Sequence, residues 1–216
     1  MPTLLLRLAA PLQSWGVNSK FERRTTEKMP TKSGVVGLAA AALGLKRDAD
    51  LTELNSLRFG VRADREGETI TDFHTAHGKK PYLTYRHYLS DAVFLAGLEG
   101  DAELLGKIEA AIKAPVFSLF LGRRSCPPTF PLLLGIRDSD LETTLNNEPM
   151  LCDGIKTDML RVQVETNDSG AGMLPDLPVT FNPDKRLYGY RKVKEYFIPL
   201  PDAVCESNHD PFSELG

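Results

Sequence analysis

Three observations predict an α+β fold. Apolar runs of strand length alternate with two capped stretches of helical period, and they come in the order strand, helix, paired strands, helix, strand. "TLLLRLA" (Thr3 to Ala9) is apolar apart from Arg7 and is closed by Pro11, as a central strand covered on both faces requires. "QSWGVNSKFERRTTEKMP" follows with no period and reads as a long, polar, partly basic connection, a kind of loop that in compact domains is functional or mobile. Thr31 then opens "TKSGVVGLAAAALGL", in which Thr or Ser caps a helix and Val35, Leu38, Ala42 and Leu45 recur at helical spacing. Its many Gly and Ala residues permit close packing on a sheet. "DLTELNSL" (Asp50 to Leu57) reads as a second, short helix. "RFGVRADREGETITDFHT" alternates around Glu66-Gly67, which predicts two strands joined by a tight turn. "AHGKKPYLTY" interrupts them, and "HYLSDAVFLAGL" returns to strand character. In "DAELLGKIEAAIKAP", Leu104, Leu105, Ile108, Ala111 and Ile112 share one helical face, with Asp101 at the start and Pro115 as the stop. "VFSLFLG" and "PLLLGIRD" read as strands on either side of an arginine turn.

This order is that of a split βαβ, ferredoxin-like sheet with helices on one face, placed over residues 1–140. Beyond Asp140 the texture changes to Pro- and Gly-punctuated segments, with a short helix at "LETTLNNEP" and strands at "MLRVQVE" and "EYFIPL". Residues 141–216 are therefore expected to form a small β-rich C-terminal extension.

The chain has 216 residues, 42% of them hydrophobic and 25% charged, enough for one ordinary core. Cys126, Cys152 and Cys205 are widely spaced, lack a CxxC, and fit a reducing, cytoplasmic setting with neither disulfide nor zinc. The opening "MPTLLLRLAAPLQSWG" is too short for a membrane span and lacks the basic start of a signal peptide. A net charge of -3 excludes a uniformly basic nucleic-acid binder, so any such role rests on local patches.

Those patches exist. "KFERRTTEKMPTK", "HGKKPYLTYRH", "GRRS" and "KRLYGYRKVK" concentrate cations, two of them around paired tyrosines, while the stretch from Asp202 onward carries four acids and no Lys or Arg. Cations interleaved with aromatic rings suit a single nucleic-acid strand, the cations neutralising phosphates and the rings stacking on bases. The RNA-contact candidates are Trp15, Lys20, Arg23, Arg24, Lys32 and Ser33, then His74, Lys79, Lys80, Tyr82, Tyr85 and Arg86, and finally Gly122, Arg123, Arg124 and Ser125. Trp15 is read equally as a core residue. Arg123 and Arg124 alternate if extended, so one is expected to meet RNA while the other anchors the loop or meets a neighbouring phosphate.

His74 and His77 form an HxxH. That spacing puts two rings on one side only in a helix, and this region reads as extended, so no metal is expected, nor any other cofactor. A second reading keeps the same residues as a metal-independent ribonuclease. In it His74 or His77 deprotonates a 2′-hydroxyl, and Lys79, Lys80 or Tyr82 steadies the phosphorane. RNA contact without catalysis is the preferred reading. "TKSGVVG" reverses the order of a phosphate-binding P-loop, leaving only the general ability of a helix N-terminus to hold a phosphate. Cys126 reads as a buried turn thiol.

"LRLAAPLQSWG", "MPTKSGVVGLAAAALGLKRD", "TDFHT", "YLSDA" and "LGRRSCPP", in that order, resemble the CasD family, the small RNA-capping subunit of the type I-E CRISPR Cascade complex. The resemblance implies a repeat-associated (RAMP-type) fold with an inserted β-hairpin thumb, here at about 76–87, and a glycine-rich loop, here Gly122 to Ser125. It implies that the chain holds the crRNA 5′ handle, docks on the CasC backbone filament and on the large subunit CasA, and meets target DNA only through the complex. In such complexes CasE cuts the RNA. In the related type I-C branch the counterpart of this subunit does so itself.

Overall fold

The computed structural model describes residues 1–17, 23–76, 81–153 and 158–200. In chain order the elements are β1 (Thr3–Ala9), β2 (Leu12–Gln13), β3 (Arg23–Arg24), α1 (Lys32–Ala42), α2 (Thr52–Ser56), β4 (Arg58–Arg65), β5 (Glu68–Ala76) and β6 (Tyr82–Ser90). Then come β7 (Val93–Glu99), α3 (Ala102–Lys113), β8 (Leu133–Arg137), α4 (Leu141–Asn147), β9 (Met159–Glu165), β10 (Gly172–Thr180) and β11 (Leu187–Pro199). The fold is α+β, as expected.

Seven strands form one antiparallel sheet in the order β10-β11-β9-β4-β7-β1-β8. At its heart β1, α1, β4, β7, α3 and β8 follow a split βαβ connectivity, with the strands lying side by side as β4-β7-β1-β8. The β-rich stretch beyond Asp140 continues this sheet through β9, β11 and β10. Thr31 caps α1 by accepting from the Gly34 N–H, and Asp101 caps α3 by accepting from the Leu104 N–H at 2.9 Å.

The main core fills one face of the sheet, where Leu4, Leu6, Leu8, Phe59, Val61 and Phe94 meet α1, α2 and α3. The other face is not bare, as a sheet with helices on one face would leave it. Leu141 and Leu145 of α4 pack there on Leu5, Leu95, Val162 and Val164. Gly60 and Gly97 make room for them: a Cβ on Gly97 would lie 2.6 Å from Leu141 Cδ1. Arg62 and Asp64 are buried beneath the segment that follows α4, where Arg62 donates to the carbonyls of Leu145, Glu148 and Pro149.

Two local expectations fail for identifiable reasons. β4 and β5 do not pair as a hairpin across Glu66-Gly67. β4 stays in the main sheet, whereas β5 turns away to pair with β6 from Glu68↔Ser90 to Ala76↔Tyr82. Gly67, at φ 73°, is a change of sheet rather than a turn within one. The hairpin expected near 76–87 thus spans Glu68–Ser90, and β2 and β3 flank β6. "VFSLFLG" is not a strand. The N–H groups of Val116 and Phe117 go instead to the last carbonyls of α1, Ala42 and Ala41, at 3.1 and 3.2 Å. The Ala41 carbonyl also accepts from the Gly44 N–H, whereas the Ala42 carbonyl takes its donor from Val116, as helix-end carbonyls without intrahelical partners require.

Candidate nucleic-acid interface

The arginine turn is built on Gly122. With φ at 83°, it occupies the left-handed region that favours glycine, and a Cβ there would overlap the Ser14 carbonyl oxygen. Hydrogen bonds from Ser14 N to Leu121 O (3.1 Å), Leu121 N to Cys126 O (2.8 Å) and Cys126 N to Arg123 O (2.9 Å) lock the turn to the chain that follows β1. Its two arginines then behave differently. Arg123 is half-buried, donating from Nη2 to the Arg24 carbonyl at 2.8 Å and lying with Cζ 4.6 Å from the centre of the Tyr88 ring. Arg124 and Ser125 are exposed. Cys126 is buried, and desolvation pushes its thiol up.

Beside the turn lies a groove of about 1080 Å³. Its walls bring together Arg24 from β3, Lys46 and Arg47 after α1, Arg123 and Arg124 from the turn, and Arg186 just before β11. No carboxylate is among the lining residues described. Phe117, Phe120, Phe181 and Tyr188 add rings, while Ser33, Gly34 and Gly37 of α1 keep one wall low. Among the described residues, none of Arg24, Lys46, Arg47, Arg124 and Arg186 is in an ion pair. Like charges gathered in a cleft with low-dielectric walls focus the field on whatever enters it, here an anion.

Of the residues singled out in the sequence, Trp15, Arg24, Ser33, Gly122, Arg123 and Arg124 line this groove. Lys20, His77, Lys79 and Lys80 lie outside the described residues. His74, Tyr82, Tyr85 and Arg86 belong to the β5–β6 hairpin and are not among the groove-lining residues, although Arg86 pairs opposite Arg24, and Arg23 is exposed on β3. Cross-strand register puts His74 and Tyr82 on one face of the hairpin and Tyr85, opposite Phe73, on the other. His74 Nε2 is 2.7 Å from Asp72 Oδ2, an exposed pair.

Two expected contacts are corrected. Trp15 is 1% exposed, its Nε1 donates to Gln13 Oε1 at 3.1 Å, and its ring packs under α1 at Gly34, so it is core rather than a stacking platform. Lys32 is also 1% exposed. Its Nζ donates to Glu165 Oε2 at 2.8 Å and to the Asn55 carbonyl at 3.1 Å, and its backbone N–H donates to Asp176 Oδ2 at 2.8 Å. Burial holds its ammonium below the usual lysine range against the pull of Glu165. Lys32 therefore ties the start of α1 to β9 and β10 and faces no ligand.

Lys46, Arg47, Phe181, Arg186 and Tyr188 line the groove without having been singled out. A signal existed for two of them: "KRLYGYRKVK" stands out as basic and aromatic, yet nothing in it says that Arg186 and Tyr188 reach α1 while Arg191 turns inward to Asp176. Lys46-Arg47 is a bare pair of charges after a helix and carries no signal.

The CRISPR-associated protein Cas5 family matches residues 3–194. The CRISPR system Cascade subunit CasD of Escherichia coli (strain K12) is 37% identical in an alignment of 174 positions that covers 68% of this chain and 77% of that one. Among solved structures, a Cas protein is 40% identical with a TM-score of 0.75, covering 91% of this chain and 95% of its own. A chain of a CRISPR RNA-guided surveillance complex is 31% identical with a TM-score of 0.81, covering 94% and 92%. A match that runs from the first strand into the last has one reading: the chain belongs to the Cas5 family of CRISPR-associated proteins.

Proposed function

We propose that this chain is the non-catalytic RNA-binding subunit of a type I-E Cascade-like surveillance complex in the cytoplasm. It holds the crRNA 5′ handle in the groove, caps the CasC backbone filament and docks on CasA. The carrying observation is the convergence of six cations from four distant chain segments on one cleft with no carboxylate among its described lining residues. Phosphates take the cations, bases take the rings of Phe117, Phe181 and Tyr188, and the low α1 wall admits the strand. The likeness to the Cascade subunit CasD and to a chain of an RNA-guided surveillance complex supports the assignment.

Arg124→Ala combined with Arg186→Ala tests it. Removing one cation from a phosphate of a single strand lowers the slope of log affinity against log salt by about 0.7, so titrations of handle RNA across salt concentrations should show a drop of about 1.4. An unchanged slope would take the groove out of the binding site. Incubation of the wild-type protein with repeat RNA in EDTA should leave the RNA intact. His74 and Tyr82 sit on the hairpin outside the groove walls, and a product ending in a cyclic phosphate would make the chain a ribonuclease instead.

A further inference from the structure

The groove lies against α1, and the opposite face of the sheet has a bare stretch at its β10–β11 edge. Tyr196 of β11 packs on the small core beneath α4 that includes Leu145 and Val162, and its hydroxyl donates to Asn146 Oδ1 at 3.0 Å. Successive side chains of a strand alternate between faces. Lys194, Lys192 and Tyr190 therefore share the face of Tyr196, while Val193 and Arg191 are buried on the α1 side. Beyond Tyr196 no described residue covers this face: Lys192 and Lys194 are exposed, and Tyr190 is 65% exposed. Met173 of β10, directly opposite Lys192 and so on the same face, is 55% exposed.

The face is cationic as well as bare. The only acids of the two strands turn to the other side, Asp176 to the buried Arg191 and Glu195 to Gln163 Nε2 at 3.4 Å. Among the described residues neither Lys192 nor Lys194 is in an ion pair. Asp168, before β10, borders the same small hollow as Lys194 without pairing with it. Lys194 Nζ lies 5.6 Å from the centre of the Tyr196 ring, which keeps that ammonium over the face. An ordinary solvated surface intersperses the two signs of charge, whereas this one presents cations and apolar side chains.

Physical grounds disfavour three other occupants. A strand adding to the sheet would need the edge of β10, and Pro175, Pro178 and two register shifts break that edge. A protein partner would bury the two lysines at the centre of its contact, where lysine is depleted. A single strand with its bases splayed needs a concave channel lined with stacking rings, which the groove offers and this sheet face does not. What fits is a stiff polyanion that lies across a surface without being enclosed. We propose that Tyr190, Lys192, Lys194 and Met173 form a second nucleic-acid surface, on the back of the sheet, that contacts the phosphate backbone of duplex DNA irrespective of sequence. Two residues of strand set Lys192 and Lys194 about 6.8 Å apart. Over that length a duplex presents about four phosphate charges. Flexible ammonium groups act on them as point charges and read no bases. The proposal rests on the RNA-guided reading above, which supplies a duplex target, and it puts that target on the opposite face from the guide.

The test titrates the full chain, already saturated with handle RNA, with a short duplex DNA of arbitrary sequence across salt concentrations. Lys192→Gln combined with Lys194→Gln should lower the duplex salt slope by about 1.8, since each phosphate contact on a duplex contributes about 0.9. The slope for handle RNA should stay as it was. Lys192→Arg combined with Lys194→Arg keeps both charges and should restore the duplex slope. Both variants should melt like the wild type, because exposed substitutions of this kind barely move stability. An unchanged duplex slope in the glutamine variant refutes the surface, as does displacement of the duplex by further handle RNA. A glutamine variant that loses handle RNA instead would give the face to the guide strand and refute it too. So would one that keeps its duplex slope and loses only its hold on other subunits, which would give the face to a protein. A wild-type chain with no affinity for handle RNA would refute the RNA-binding reading itself, whatever the duplex slopes.

Discussion

Gly122→Ala is expected to cost on the order of a hundredfold in affinity for handle RNA while the seven-stranded sheet stays folded. At φ 83°, any side chain adds about 1–2 kcal/mol of local strain, and the new Cβ would also sit 2.7 Å from the Ser14 carbonyl carbon. Neither side can give way by a rotamer change. Ser14 is backbone, held by its N–H to the Leu121 carbonyl and placed next to the buried Gln13, whose Nε2 donates to the Ala92 carbonyl at 2.7 Å. The turn must therefore leave its seat, taking Arg123 off the Arg24 carbonyl and Tyr88 and moving Arg124 off the groove wall. Two charge-assisted contacts at about 1.5 kcal/mol each account for the hundredfold. Gly106→Ala is the control. It lies within α3 with open space around it, so the same change should stabilise the chain by about 0.5–1 kcal/mol and leave RNA affinity alone. Wild-type affinity in Gly122→Ala would mean that the turn plays no part in binding.

The turn itself was legible in the sequence because glycine, two arginines and two prolines leave few conformations open. So were β1, α1 with its Thr31 cap and α3 with its Asp101 cap, where local chemistry and burial agree. "MLRVQVE" is β9 from Met159 to Glu165, since its alternation matches a strand with one buried side. "VFSLFLG" misled because β propensity measures fit to a pleated surface, and here the N–H groups that would have joined a ladder went to the end of α1. β10 was missed because Pro175, Pro178 and two register shifts break its period.

Lys32 and Arg124 show why the site was harder to read than the fold. Both sit in basic stretches with polar neighbours, and nothing local separates them. What separates them is Glu165, 133 residues from Lys32 in sequence, and that distance is closed only when β9 takes its place beside β4. Net charge along the chain shows where cations are abundant. Which of them remain unpaired depends on where the carboxylates fold. The groove is positive because Glu165 and Asp176, which meet α1 at its first turn, are spent on Lys32 and Arg191.

Asp176→Ala is the sharpest test of that division of charge. Asp176 is 1% exposed. Its two oxygens accept from Arg191 Nε at 2.7 Å, Arg191 Nη2 at 3.0 Å and the Lys32 backbone N–H at 2.8 Å. Alanine would leave the buried Arg191 guanidinium without its counter-charge over the Phe59 ring, where Nη1 already lacks an acceptor, and would strip the start of α1 of one acceptor. Breaking a buried pair in this way typically costs about 3–5 kcal/mol, far more than losing an exposed, solvent-screened pair such as Lys107 with Glu103. Urea unfolding should report the difference as a lower midpoint at unchanged slope, with Glu103→Ala as the mild comparison. RNA affinity of the residual folded protein should fall as well, because Asp176 pins to α1 the strand pair that carries Arg186 and Tyr188 into the groove. A variant that keeps the wild-type midpoint would show that Arg191 finds solvent or another acceptor, and with it that the groove's positive charge does not depend on the buried acids.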